Sequence, residues 1–362
     1  MHDSTALPEN KSEGNKLTMA TSPDLQLIEK LTHLPDDFWD FKESDTQALT
    51  HGLHTYPATM IYPISRNILS IMTGIKPISS LMDPFAGSGT VLVEGVLANI
   101  KYVYGNDINP LSTFLCEVKT TPIKEKLLSE STAALYSELD AAYKRYNNVI
   151  TEINDYMESY FQLDLTDKNN WGSNAPHYLK KYYEMNDILL TVPEFKNIGY
   201  WFKPNVIIEL QIIKDAIKQI QDLNVQKFMF AAFSECIRLV SNRRNGEFKM
   251  FRMNPEKVRA FEPKVRVEFF KLLERNIKKM QEFTEQCEHR KNTTKVVLTK
   301  NNSKSLVDIP DESIDIVITS PPYGDSRTTV AYGEFSRLSL QWLDIFEIPD
   351  KEIMSIDKSF MG

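Results

Sequence analysis

The sequence has few cysteines and no long hydrophobic run. Its 362 residues include three cysteines, Cys116, Cys236 and Cys287. Their scattered positions form neither a disulfide framework nor the paired spacing of a zinc site, so we predict no metal site and a reducing, cytoplasmic location. No apolar stretch is long enough to cross a bilayer, so we expect no membrane partner.

The chain also lacks an overall excess of positive charge. Its net charge of −7 weighs against a simple nucleic-acid coat protein. Residues 241–300, however, contain 16 Lys and Arg and 8 Glu, a local net charge of +8. Such a segment fits phosphate binding and equally fits a solvated helix face. Four cations interleaved with aromatic residues and a glycine are the DNA-contact candidates: Arg243, Arg244, Lys249 and Arg252.

A glycine-rich turn follows the predicted strand Ser79–Asp83. Gly87 and Gly89 permit a tight turn and a close approach of a ligand to backbone N–H groups. The next predicted strand ends at Asp107, about the right distance along the chain to bind ribose hydroxyls. The turn lacks the third glycine of a dinucleotide fingerprint and the Gly-Lys-Ser/Thr of a phosphate loop, which disfavours NAD and triphosphates. A purely structural turn stays open as the alternative.

A second pattern, Thr319–Tyr323 (TSPPY), follows a strand-like run that begins at Ile314. Each proline fixes its φ and removes a backbone donor, and each residue before a proline is pushed toward extended geometry. The loop therefore exposes backbone carbonyls beside a tyrosine ring. Hydrogen-bond acceptors next to a π-face suit a planar base that carries an exocyclic amino group.

Four segments, in this order, resemble the motifs of S-adenosylmethionine-dependent amino-methyltransferases: His54–Ala58 (HTYPA), Asp83–Thr90 (DPFAGSGT), Gly105–Pro110 (GNDINP) and Ser320–Tyr323 (SPPY). The last variant is typical of cytosine-N4 DNA methyltransferases. The resemblance implies S-adenosylmethionine as cofactor, double-stranded DNA as substrate and a place in a restriction–modification system. Adenine-N6 DNA methylation, guanine-N2 RNA methylation and a split-enzyme subunit that is inactive without its partner remain the alternatives.

The resemblance also implies roles for individual residues. It assigns the catalytic role to Ser320, Pro321, Pro322 and Tyr323. It assigns cofactor binding to Tyr56, Pro57, Asp83, Phe85, Ala86, Gly87, Ser88, Gly89, Thr90, Asp107, Ile108 and Asn302. Asn302 stands where many family members carry an acidic residue that faces the adenine amino group.

The order of the segments predicts an α/β fold with a Rossmann-like class I methyltransferase sheet and a large helical insert. We expect a disordered tail over 1–21, a cofactor-binding half over 22–123, a helical insert for target recognition over 124–291, and a catalytic half over 292–362. Strands near 80, 104, 297 and 316 are fewer than this family's sheet contains. We therefore expect the sheet to be incomplete toward the C-terminus and completed by a second polypeptide or by self-association. A truncated chain and a helical insert that covers the sheet instead are the alternatives.

Overall fold

The computed structural model describes residues 22–244, 246, 248–320, 332–346 and 348–353. The predicted disordered tail, 1–21, lies outside the described residues. So do three of the four predicted catalytic residues, Pro321, Pro322 and Tyr323.

Four parallel strands form one sheet with the order β3-β2-β1-β4. The strands are β1 Ser80–Asp83, β2 Tyr102–Asn106, β3 Lys295–Thr299 and β4 Ile316–Val317. Leu81 of β1 lies opposite Val103 of β2 and Ile316 of β4. The predicted α/β class and all four predicted strand positions are confirmed.

Strand β4 is shorter than the run that begins at Ile314 predicted. The carboxylate of Asp315 accepts hydrogen bonds from the backbone N–H groups of Ser79, at 2.7 Å, and Ser80, at 2.9 Å. A side chain therefore takes the place of the backbone ladder at the start of this run. At its other end, Ile318 N–H donates to the Met82 carbonyl at 3.0 Å, so pairing with β1 continues toward the predicted catalytic loop.

Helices pack against this sheet and fill the middle of the sequence. They are α1 Pro23–Thr32, α2 Tyr62–Thr73, α3 Thr90–Leu97, α4 Pro110–Thr120, α5 Glu125–Ser159, α6 Ser173–Met185, α7 Ile198–Trp201, α8 Pro204–Lys218, α9 Leu223–Val240, α10 Pro255–Ala260, α11 Val265–His289 and α12 Tyr332–Trp342. None of the helices in the described ranges is long and apolar enough to cross a membrane.

The segment 124–291 is helical, as its periodicity predicted. Its long helices share one hydrophobic core with residues from both sides of the segment in sequence, including Leu53, Phe114, Phe335 and Trp342. A smaller core lies between α3 and the sheet, where Val91 and Leu92 contact the strand residues. The helices of the segment therefore pack against the helices next to the sheet, such as α3 and α4, and their assignment as a target-recognition domain stays a prediction.

Candidate active site

The glycine-rich turn joins β1 to α3 at the carboxyl end of the sheet. Gly87 and Gly89 both have positive φ, +51° and +82°, which side chains adopt only with strain. A Cβ on Gly89 would also lie 3.1 Å from the sulfur and 3.2 Å from the Cα of Cys116. The nearest atom to a Cβ on Gly87 would be a ring carbon of Tyr56, at 3.7 Å. Position 89 thus requires glycine because of its positive φ and because a Cβ there would crowd Cys116. Position 87 requires glycine because of its positive φ alone.

Asp83 ends β1 and is 3% exposed. Its Oδ1 accepts hydrogen bonds from Phe85 N–H at 3.0 Å and from the Thr319 hydroxyl at 2.8 Å. Burial raises the pKa of Asp83 to about 6, although these two donors favour the ionised form. Because Thr319 directly precedes Ser320, this contact places the start of the predicted catalytic loop beside the predicted cofactor turn.

Asp107 follows β2 and faces the same turn. Its Oδ2 accepts from Gly87 N–H and its Oδ1 from Asn109 N–H, both at 2.9 Å. Burial raises the pKa of Asp107 as well. Two carboxylates that are costly to ionise therefore flank the turn, and each is hydrogen-bonded by neutral donors. A ligand with positive charge would stabilise the ionised form of both.

The Asn109 side chain connects three distant parts of the site. Its Nδ2 donates to the Tyr56 hydroxyl at 3.0 Å and to the Ser336 hydroxyl at 2.8 Å. Its Oδ1 accepts from Leu111 N–H and caps the start of α4. Asn109 is not among the site residues that the resemblance implies. An asparagine before the proline that begins a helix is, however, a recognisable capping signal.

The other predicted residues of the turn differ in exposure. Phe85 is 48% exposed and Ile108 is half-buried. Pro57, Ser88 and Thr90 are buried. Phe85 and Ile108 are therefore accessible to a ligand, whereas the buried side chains support the turn.

The loop that contains Asn302 is hydrogen-bonded to the glycine-rich turn. The Ser303 hydroxyl donates to the Pro84 carbonyl at 2.8 Å, and Asn106 Nδ2 donates to the Asn301 carbonyl at 3.0 Å. Asn302 itself is exposed, and its Oδ1 accepts from the backbone N–H two residues further on, at 3.0 Å. Its predicted role toward the cofactor stays a prediction.

His54 is a packing residue in this structure. It is 3% exposed, with Nδ1 donating to the Thr55 carbonyl and Nε2 accepting from the Ser234 hydroxyl at 3.1 Å. Burial lowers the pKa of His54 to about 4, so the ring is neutral at physiological pH. This agrees with the pattern of contacts, which leaves no ring nitrogen for proton transfer.

The DNA-contact candidates lie on a hairpin (residues 242–253) that follows α9. Arg243 and Arg252 form its antiparallel bridge. Arg243 is 4% exposed, and the Arg252 guanidinium donates to the carbonyls of Tyr200, at 2.7 Å, and Thr166, at 2.9 Å. These contacts favour a structural role for both arginines.

The other two candidates, Arg244 and Lys249, are exposed toward the end of the hairpin. Next to them, Met250 N–H donates to the Glu334 carboxylate at 2.9 Å. Glu334 lies in the first turn of α12, which comes after the predicted catalytic loop in sequence. The two exposed cations, Arg244 and Lys249, are therefore held close to the start of α12.

Comparisons with known proteins point to methyl transfer. The UPF0020 family, described as an RMKL-like methyltransferase domain, matches residues 53–144. The type II methyltransferase M.MvaI of Kocuria varians is 39% identical over 345 residues, which cover 94% of this chain and 68% of the relative. The type II methyltransferase M.MjaII of Methanocaldococcus jannaschii is 23% identical over 380 residues, with 90% and 68% covered. No solved structure matches the chain.

Proposed function

Because this chain belongs to the type II methyltransferase family, we propose that it methylates the N4 amino group of cytosine in duplex DNA. Methylation would be sequence-specific, with S-adenosylmethionine as the methyl donor, in the cytoplasm and as part of a restriction–modification system. The observation that carries the proposal is the 2.8 Å hydrogen bond from Thr319 to Asp83. It supports a methyl-acceptor loop that begins at Ser320, next to a turn suited to the methyl donor.

The residues of the turn fit S-adenosylmethionine. Asp83 and Asp107 are carboxylates with raised pKa values, so the positive charge of an ammonium group beside Asp83 and hydrogen bonds from ribose hydroxyls to Asp107 would favour their ionised forms. In the proposed arrangement Asp83 holds the amino group, Asp107 the ribose hydroxyls, and Ile108 packs on the adenine. When bound, the cofactor supplies an electrophilic methyl group.

The catalytic loop would act by orienting the acceptor. A cytosine amino group is a weak nucleophile because its lone pair is conjugated with the ring. Ser320 Oγ and the Pro321 carbonyl would accept its two hydrogens, which favours a tetrahedral nitrogen with its lone pair aimed at the methyl group. Tyr323 would stack on the base after it leaves the duplex. The bond between the methyl group and the donor's sulfur would break as the nitrogen gains the methyl group, and one amino proton would then pass to solvent.

Identification of the modified nucleoside tests this proposal. The chain is incubated with labelled S-adenosylmethionine and duplex DNA, and the digested DNA is analysed by mass spectrometry. We expect N4-methyldeoxycytidine. N6-methyladenine, or label found in RNA alone, would overturn it. Replacing Ser320 by alanine should reduce transfer while cofactor binding, measured by calorimetry, stays largely intact.

One face of the sheet supports the predicted protein partner. Val297, Tyr104, Met82 and Val317 lie in register across all four strands on this face. Val297 is 37% exposed and Val317, on the edge strand, 55% exposed. We propose that a second polypeptide or a second copy covers this face of the sheet. Sedimentation with parallel activity assays tests it, and full activity from a monomer would contradict it.

A further inference from the structure

The hairpin carries two phenylalanines that its cations flank. Phe248 and Phe251 are each 47% exposed. Arg244 and Lys249, also exposed, lie beside them in the sequence. Aromatic rings that alternate with cations on one exposed loop suit single-stranded nucleic acid, since rings stack on bases while cations contact phosphates.

Among the described residues, a series of ring contacts connects Phe248 to the cofactor turn. Phe251 takes no part in this series. The ring centroid of Phe248 lies 6.0 Å from that of Phe335. Phe335 is fully buried, and its centroid lies 5.5 Å from that of Tyr56. Tyr56 in turn lies beside Gly87. Phe248 is thus the outermost ring of a column that begins at the turn.

The middle ring and the outer end of this column are both fixed in place. The Arg238 guanidinium, on α9, lies 3.6 Å from the Phe335 ring centroid and donates a hydrogen bond to the Phe335 carbonyl. These two contacts hold the Phe335 ring in position. The hairpin is held by the bond from Met250 to Glu334 and by the contacts of Arg252. Phe248 is therefore presented in a defined position, as an aromatic platform requires.

We propose that Phe248 stacks on a nucleobase that has left its base pair, while Arg244 and Lys249 contact the phosphates beside it. This assignment rests on the proposed function, because a base must leave the duplex before its amino group can be methylated. The charge of the hairpin favours DNA over a protein ligand. The base is either the target cytosine or a neighbour exposed when the cytosine leaves.

Phe251 provides a matched control, because it has the same exposure on the same hairpin. Phe248→Ala should lower kcat/KM for DNA roughly 5- to 150-fold, the effect of losing one base stack. Phe248→Trp should retain most of the activity. Phe248→Leu keeps an apolar contact with Phe335 but has no π-face, so it should lose activity like the alanine variant. Phe251→Ala should stay within about two- to threefold of wild type, as exposed substitutions usually do.

Unfolding in urea and cofactor affinity are measured for each variant, and both should match wild type. Equal activity of Phe248→Ala and Phe251→Ala, or full activity of Phe248→Leu, would overturn the assignment. Absence of DNA methylation by wild type would remove the proposed function instead, so the two failures are distinguishable.

Two duplexes identify which base is stacked, once sequencing has mapped the methylated position. One carries the target cytosine and the other an abasic nucleotide at that position. If Phe248 stacks on the cytosine, Phe248→Ala weakens binding only to the first duplex. If it stacks on a neighbouring base, binding to both duplexes is weakened. Unchanged binding to both would contradict the proposal.

Discussion

Replacing Asp83 by asparagine should stabilise the free protein and weaken cofactor binding. Asp83 has a pKa of about 6, against 3.8 for an ordinary aspartate, because burial opposes its charge more than its two hydrogen bonds favour it. That difference corresponds to a penalty of about 3 kcal/mol for the ionised group. Asparagine keeps the Oδ1 acceptor for Phe85 and Thr319 without the charge.

The sign of the pH dependence follows from the direction of the shift. The native state binds the proton more tightly than the unfolded state, so the penalty is full above pH 6 and disappears as the pH falls toward 3.8. The Asp83→Asn variant should therefore gain up to about 3 kcal/mol in free energy of unfolding at pH 8 and almost nothing near pH 4. Cofactor affinity should fall roughly 10- to 150-fold through the lost charged hydrogen bond.

Urea unfolding at several pH values and calorimetric titration with S-adenosylmethionine measure the two effects. Asp315 is a useful control, because the N–H groups of Ser79 and Ser80 lower its pKa. Asp315→Asn should lose stability above the unfolded pKa, the opposite sign. A gain for Asp83→Asn that does not change with pH would refute the burial argument. Unchanged cofactor affinity would refute the proposed contact.

Three further predictions concern the same site. Thr319→Val removes a hydrogen-bond donor to Asp83, so the pKa of Asp83 should rise further. As the pH is lowered, cofactor affinity should therefore begin to fall at a higher pH in the variant than in wild type. Gly87→Ala should cost about 1–2 kcal/mol through positive φ, and Gly89→Ala clearly more because its Cβ also meets the backbone of α4; equal urea midpoints would contradict this. Asn109→Ala should cost about 1–2 kcal/mol through the lost helix cap, and an unchanged midpoint would contradict the role of its three hydrogen bonds.

The sheet and the position of the glycine-rich turn could be predicted because their signals are local. Apolar runs that end at Asp83 and Asp107, together with glycines between a strand and a helix, determine where the elements lie. The predicted strand β4 is too long, because the side chain of Asp315 replaces backbone pairing at its start. A side chain that takes over backbone hydrogen bonds in this way leaves no local pattern in the sequence.

Contacts between distant segments could not be predicted in this way. No pattern near Asn109 indicates that its amide reaches both Tyr56 and Ser336. The exposure of the arginines in the hairpin could not be predicted from the sequence either. Arg243 and Arg244 are adjacent in sequence, yet the fold buries the first and exposes the second. Charge and spacing predict a basic segment, and only tertiary packing decides which cations face solvent.

The bonds of Asn109 and Asp83 also have a consequence for synthesis of the protein. Asn109 reaches Ser336 across 227 residues, and Asp83 reaches Thr319 across 236 residues. Closing loops of this length costs about 5 kcal/mol of chain entropy, so neither contact forms before the helices between them have packed. The ribosome makes the glycine-rich turn early, but residues that fix it emerge much later. Until Thr319 has left the ribosome the turn lacks the hydrogen bond to Asp83, and until Ser336 has left it the turn lacks the hydrogen bond from Asn109.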